Sequence, residues 1–390
     1  MSVSTIISNM LCNSMHQSRI KSIIPLVESL IRTKQMKLTP VGRGLSQLVA
    51  SQERSCIRRV DRCLANCYYQ THFIDIYAAI TRWLLASHVN PLIVVDWSSL
   101  PNIHQRREEG EHCILRASLV SQGRGLTLYE EIHAKAYENN SVVHQNFLKR
   151  LKQIVPTQCT PCLITDAGFK NPWFKAVSAL GWDFVGRIRG LTHIDEGNGF
   201  IPGKQLAKNL AAKASYLGLL IIAKTNPMAA HTYGYKHPLK KQKKHGTIKR
   251  DTIGRKASRA YREPWVLVSS IKEDKTPAKI IRLYQHRMTI EESFRDIKSP
   301  LYGFGLRNNV TLKVPRLTVW LVLAAIASIV AFIAGCWIER KGLHRQFQAN
   351  SYRHKRVLSL VFLGCQAIRN NKIPIQIINI QQIGFNLKDV

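Results

Sequence analysis

The sequence predicts a mixed α/β layer protein with helical segments before and after its sheet. Three observations carry that reading. Between Pro91 and Gly190, short apolar, β-branched runs alternate with stretches of helical periodicity, in the order β-β-β-α-β-α-β. Two of those runs end in an aspartate, Asp96 and Asp166, at the strand ends where ligands of such sheets gather. Residues 1–88 show helical spacing, and an uncharged stretch long enough for a helix follows the sheet at Leu317–Ile338.

The elements follow in order. "RIKSIIPLVESLIR" (19–32) has apolar residues at helical spacing, and "TPVGRGLSQLV" opens with a Thr39-Pro40 start signal. "SQERSCIRRVDRCLANCYY" gathers Arg54, Arg58, Arg59 and Arg62, and "THFIDIYAAITRWLLAS" completes the set. Short helices with a basic one among them suit a DNA-binding module; a bundle with a solvated basic face has the same letters. "PLIVVDW" opens the sheet. "HCILRASLV" (112–120) and "LTLYEEIHA" (126–134) form a hairpin across "SQGRG". "NSVVHQNFLKRLKQIV" (140–155) is a helix, "PCLITDAGF" (161–169) a strand, "NPWFKAVSAL" (171–180) a helix with Pro172 in its first turn, and "WDFVGRIRG" (182–190) a strand. From Leu191 to Arg262 the periodicity weakens, as an insertion would make it, and 236–259 forms a basic run. "PWVLVSS" (264–270) resumes the sheet. The expected boundaries are 1–88, a central unit at 89–338 with the insertion at about 191–262, and a helical region at 339–390.

Charge narrows the function. Lys and Arg number 57 against 24 Asp and Glu, a formal +33, and such an excess needs a polyanion. Nucleic acid is the first candidate, because neutralised phosphates release counterions; an anionic membrane surface is the weaker one. The nine cysteines are odd in number and scattered, which points to a reduced intracellular setting rather than a disulfide framework. Cys159-x2-Cys162 lacks a second pair at suitable spacing and reads as two buried thiols. The stretch Leu317–Ile338 could span a bilayer by length, but basic residues flank both ends, so it reads as a buried spine and no membrane is expected.

The segment "YQHRMTIEESFRDIKSP" (284–300) carries the densest chemistry. It reads as one helix, started by Thr276 as N-cap with Pro277 at the first position and stopped by Pro300. At about 100° per residue, Tyr284, Arg287, Glu291, Arg295 and Lys298 share a stripe roughly 80° wide. Glu292 falls about 100° away, on the flank with Asp296. Glu291, Asp96 and Asp166 together make three hard-oxygen donors, which Mg²⁺ or Mn²⁺ prefers. Two such ions can activate a water or a 3′-hydroxyl on a phosphodiester. The Tyr/Arg/Lys stripe would then grip DNA phosphates beside the cut. An ordinary salt-bridge stripe on an exposed helix fits the spacing as well. Arg187 and Arg189 stand between phosphate contact and ion pairing, and Trp97 and Trp265 read as packing.

"VVDWS" at Asp96, "TDAGFKNPWF" at Asp166 and Tyr284-x2-Arg287-x3-Glu291-x6-Lys298 resemble the DDE transposases of the insertion-sequence-four family. "RRVDRCLAN", "LRASL", "LTLYE", "EPWVL" and "FQAN" fit the same pattern, from about residue 20 to about residue 365. The resemblance implies a ribonuclease-H-like mixed sheet with a β-rich insertion between the second Asp and the Glu. It implies cut-and-paste transposition: a nick at the element's end, a hairpin formed by the freed 3′-hydroxyl, reopening, and joining of the 3′ ends to target DNA. It makes Asp96, Asp166 and Glu291 the ligands of two Mg²⁺ or Mn²⁺ ions, and Tyr284, Arg287 and Lys298, with Arg295 on the same stripe, DNA contacts. It also implies a homodimer on paired ends, terminal inverted repeats read by the helical N-terminal part, and a bacterial, nucleoid-associated cytoplasmic setting. The residues leave two rivals: a ribonuclease-H-like metal nuclease that never joins strands, and an inactive DNA-binding relic of a transposase.

Overall fold

Ten strands form one sheet among the described residues of this computed structural model, which are 2–100, 111–237, 263–311, 313–349, 351–352, 355–370 and 384–389. The helices that precede the sheet are α1 (Val3–Leu11), α2 (Gln17–Thr33), α3 (Leu38–Ser46), α4 (Glu53–Ala65), α5 (Cys67–Thr71) and α6 (Phe73–Leu85). Then come β1 (Leu92–Ser99), β2 (His112–Ser121), β3 (Arg124–Ala134), α7 (Ser141–Ile154), β4 (Cys162–Thr165), α8 (Asn171–Ala179) and β5 (Asp183–Ile188), in the order the alternation predicts. Asn140 caps α7 by accepting from the amides of Val142 and Val143. Gly123, at φ +72°, makes the β2–β3 turn.

Between Leu191 and Tyr235 lie β6 (His193–Asp195), β7 (Phe200–Pro202), α9 (Gly203–Lys208), β8 (Ser215–Ile222) and β9 (Met228–Tyr235). The stretch whose periodicity weakens is therefore largely strands up to Tyr235. The basic run 236–259 lies outside the described residues from position 238 onward. β10 (Trp265–Ser269) then returns to the sheet between β5 and β9. The full order is β3-β2-β1-β4-β5-β10-β9-β8-β6-β7. β1, β4 and β5 run parallel, while β2, β3 and β10 are antiparallel to their neighbours.

Two expectations need correcting. Asp96 does not end its strand: β1 continues to Ser99, because its pairing with β2 holds from Ile93 to Ser99. Nor is the segment before Pro300 one helix. It divides into α10 (Ala278–Gln285) and α11 (Met288–Lys298). At the break, tighter bonds replace the α-helical ladder: Arg287 N–H reaches Tyr284 O (3.0 Å) and Thr289 N–H reaches His286 O (2.9 Å). Burial explains the change of course, since α10 packs on β4, β5 and β9 while α11 crosses β1, β2 and β3. Thr276 supplies no side-chain cap, and Pro277 takes the cap position.

The long apolar stretch is α12 (Val314–Arg340), with α13 (Leu360–Asn370) packed along it. By length and composition α12 could cross a membrane, yet 89% of its apolar window is buried inside the protein. It touches α2, α4, α6, β3 and α13, so every side of it has a partner. One apolar core runs from Val3 to Ile368. The tail at 384–389 returns to the start of β1: Leu92 N–H donates to Phe385 O (2.9 Å), and Phe385 N–H donates to Val120 O (3.0 Å). The Phe385 ring lies 5.4 Å from that of His286, at the break between α10 and α11.

Candidate active site

Register puts the two aspartates side by side. β1 and β4 pair in parallel up to Val95↔Thr165, so Asp96 and Asp166 are the next residues on adjacent strands. Asp166 Oδ1 accepts the Gly168 amide at 2.8 Å, which fixes the turn after β4. A Cβ at Gly168 would meet Asn139 Oδ1 at 2.5 Å and Asp166 Oδ1 at 3.0 Å, so a side chain there would crowd the Asp166 carboxylate. Asp96 Oδ1 accepts the Trp97 amide at 2.8 Å. The Asp96 carboxyl is pushed up to about 7, first by burial and then by the charge of Asp166, against the pull of Arg287.

α11 lies over this pair. Arg287 Nη1 stands 2.5 Å from Glu291 Oε1 and 3.5 Å from Asp96 Oδ2, so one guanidinium links the helix acid to the strand acid. Glu292 turns to the other flank. It meets Arg295 at 2.8 Å and Arg124 of β3 at 3.8 Å, and Arg124 also holds Asp296 at 2.5 Å. The two adjacent glutamates are thus separated as the helical wheel separates them. The three carboxylates do not, however, form one metal-holding cluster: among the described residues no group of three or more His, Cys, Asp or Glu is placed to hold an ion. Arg287 supplies the countercharge between Asp96 and Glu291.

A cleft of about 480 Å³ opens beside these groups, lined by Asp96, Trp97, Glu291, Phe294, Lys298 and Arg307 among others. Lys298 Nζ donates to Ser98 Oγ (2.7 Å) and to Ser99 O. Its ammonium is pulled down to about 8 by burial and by the neighbouring Arg116, Arg307 and Lys135. Arg295 lies at the rim, 70% exposed. Tyr284 is not in the lining: its ring is buried, 4.9 Å from Trp265 in an edge-on contact. Arg187 is ion-paired with Glu263 at 2.8 Å, and Arg189 is exposed. Trp97, which also lines the cleft, donates from Nε1 to His144 Nε2 (2.8 Å), and His144 stacks on Phe169 at 4.4 Å. Cys159 and Cys162 are buried free thiols.

Sequence reasoning missed Arg307 and Arg116. Arg307 sits in a short 3₁₀ turn (Leu306–Asn308) with no periodic pattern to mark it. Arg116 stands in an apolar strand, where only the oddity of a charge in "HCILRASLV" could have flagged it.

Lys298 gives the cleft a pH dependence. In the free protein its positive form is lost above about pH 8. Its folded value lies below the unfolded 10.5, so the group costs folding stability at neutral pH, and that cost fades as pH rises from about 8 through 10.5. If it grips phosphate, wild-type DNA affinity falls more steeply than that of Lys298→Arg between about pH 7 and 9, because arginine keeps its charge. Fluorescence anisotropy at fixed salt measures this, and parallel profiles would refute the phosphate contact.

A family model described as a transposase DDE domain matches residues 87–330, which is more than half of the chain and contains all three acids. The chain belongs to the DDE-domain transposase family. In this transposase the matched region begins just before β1 and ends inside α12. A solved piggyBac transposase synaptic complex with hairpin DNA is similar at a TM-score of 0.43 and 14% identity, covering 95% of this chain and 77% of that chain. That likeness is too distant to bear on mechanism. Comparison with curated proteins gives no match.

Proposed function

We propose that the protein is a cut-and-paste DNA transposase of the insertion-sequence-four branch, similar in its motifs to the transposase of transposon Ten. The reading takes β1–β5 as a ribonuclease-H-like core and β6–β9 as its β-rich insertion. Around them it sets a helical DNA-binding part at 1–88, a catalytic unit at 89–338 and a helical region at 339–390. The observation that supports it is that Asp96 and Asp166 directly follow the paired residues of β1 and β4, and that Asp96 is linked through Arg287 to Glu291, in a chain of this family.

The donor set fits a hard divalent cation. Asp96 and Asp166 offer carboxylate oxygens from neighbouring strands, and burial with like-charge repulsion leaves Asp96 in want of positive charge. Asp96 and Asp166 would hold Mg²⁺ or Mn²⁺, with Glu291 joining on release from Arg287. The bound ions, two in this reading, would supply Lewis-acid activation of the attacking hydroxyl and stabilise the leaving oxygen. The chain's own groups do the rest. Arg287 exchanges its carboxylate partners for a phosphate as DNA enters. Lys298 and Arg307 line the cleft as further cations, and Arg295 meets DNA at the rim. The +33 charge supports long-range attraction of the duplex. A homodimer working on paired terminal inverted repeats, in the bacterial cytoplasm at the nucleoid, completes the proposal.

Glu291→Ala should abolish end cleavage, whereas Glu292→Ala, which removes only flank ion pairs, should leave it within about threefold. The measurement is incubation of a duplex bearing the element's end with Mg²⁺, reading nicked, hairpin and joined products on a denaturing gel. The reverse pattern overturns the assignment. Cleavage without any joined product favours the nuclease alternative, and no cleavage by the native protein on any end favours the inactive relic.

A further inference from the structure

Arg116 is fully buried in the middle of β2, and the proposed chemistry does not use it. A buried guanidinium is costly to desolvate, and its surroundings define what it touches. Register aligns Asp96 of β1, Arg116 of β2 and Glu130 of β3 in one row across three strands, so all three sit on the face that α11 covers. Arg116 commits to Glu130: its Nε and Nη2 donate to Glu130 Oε2 at 2.8 and 2.5 Å. Tyr77 of α6 donates its hydroxyl to the other oxygen, Oε1, at 2.8 Å. Above the guanidinium lies the Phe294 ring of α11, 4.3 Å from Arg116 Cζ. Lys298 Nζ, from the cleft, approaches the same ring at 5.6 Å.

We propose that the buried chain Tyr77–Glu130–Arg116 is a positioning device for α11, seating Phe294 so that Glu291 and Lys298 face Asp96. This rests on the reading of the cleft as the active site. The geometry follows from helical spacing: Glu291, Phe294 and Lys298 are three and four residues apart, so a ring fixed at 294 fixes the direction of both neighbours. The outer flank of α11 has its own pins, Ser293 Oγ on the Gly125 backbone (2.7 Å) and Asp296 on Arg124 (2.5 Å). Those pins hold the helix to the β2–β3 hairpin, Arg287 on Asp96 and Lys298 on Ser98 tie it to β1, and Phe294 rests on Arg116 between those two residues along the helix. The cation–ring contact supplies direction as well as attraction. Tyr77 belongs to α6, so the device also ties the helical N-terminal part to the cleft.

The test removes both charges together. Arg116→Met/Glu130→Gln leaves no unpaired buried ion, so it should fold and melt close to wild type. Two readouts decide. In the DNA-free protein, amides of Glu291–Phe294 should exchange with deuterium about tenfold faster than in wild type, while those of α12 stay unchanged. In end cleavage, kcat should fall about tenfold or more with KM for the duplex within about twofold, as loss of alignment predicts. Wild-type exchange rates with wild-type kcat in the double variant would overturn the proposal. Should the double variant not fold, Tyr77→Phe deletes only the hydroxyl behind Glu130, and it should lower kcat about threefold at unchanged KM; an unchanged kcat overturns the proposal. If wild type itself cleaves no end, the reading of activity fails, and the exchange measurement alone decides the positioning claim.

Discussion

Asp96→Asn is expected to lower metal-dependent end cleavage by about 10³-fold or more while raising the melting temperature of the metal-free protein. Both effects have one origin. The Asp96 carboxyl is mostly buried and faces the charge of Asp166, which pushes it up to about 7. A neutral amide of the same size escapes both penalties, a relief of up to about 4 kcal/mol near neutral pH. The same amide is a poor ligand for a hard cation, so cleavage is lost. Differential scanning calorimetry with and without Mn²⁺ separates the effects. Mn²⁺ should raise the wild-type Tm and leave that of the variant unchanged. A variant that melts lower than wild type without metal, or that gains as much from Mn²⁺, would contradict this account of the site.

The second large effect concerns the scaffold. Gly364→Leu should cost about 3 kcal/mol or more and leave little soluble protein. α12 and α13 cross at backbone contact: a Cβ on Gly364 would lie 1.7 Å from Ala331 O, and one on Gly335 would lie 1.9 Å from Leu360 O. Both neighbours are main-chain atoms of buried helices and cannot turn aside. α12 also touches α2, α4, α6 and β3, so prying off α13 disturbs the core shared by the N-terminal helices and the sheet. Gly123→Ala is the contrast. It sits at φ +72° with open space around it, and should cost only about 1 kcal/mol, from backbone strain alone. Thermal melts of the two variants measure the difference, and equal losses would argue against close packing at the crossing.

Much of the sheet was legible because its signals are local. β-branched runs, a glycine hairpin and alternating helices specify the order from β1 to β5 without reference to distant residues. The separation of Glu291 from Glu292 was legible for the same reason, since a turn of helix carries it. Three features were not. The break after Gln285 depends on where α10 and α11 find their partners, β5 and β9 for one and β1 to β3 for the other. The reach of β1 beyond Asp96 depends on pairing with β2, which no run of letters in β1 reveals. The commitment of Arg287 to both Asp96 and Glu291, 191 residues apart in the first case, is a tertiary fact. Tyr284 shares the spacing of the stripe, and its buried ring packs edge-on against Trp265, a contact that no spacing in the sequence reveals.

The central claim is that Asp96 and Asp166 form a divalent-cation site that Glu291 completes when DNA is bound. Anomalous diffraction from crystals of the protein with a duplex end and Mn²⁺ tests it most directly. The account predicts a Mn²⁺ peak within about 2.5 Å of oxygens from both Asp96 and Asp166, with Glu291 released from Arg287. An anomalous map with no peak at these carboxylates, while DNA occupies the cleft, would contradict it.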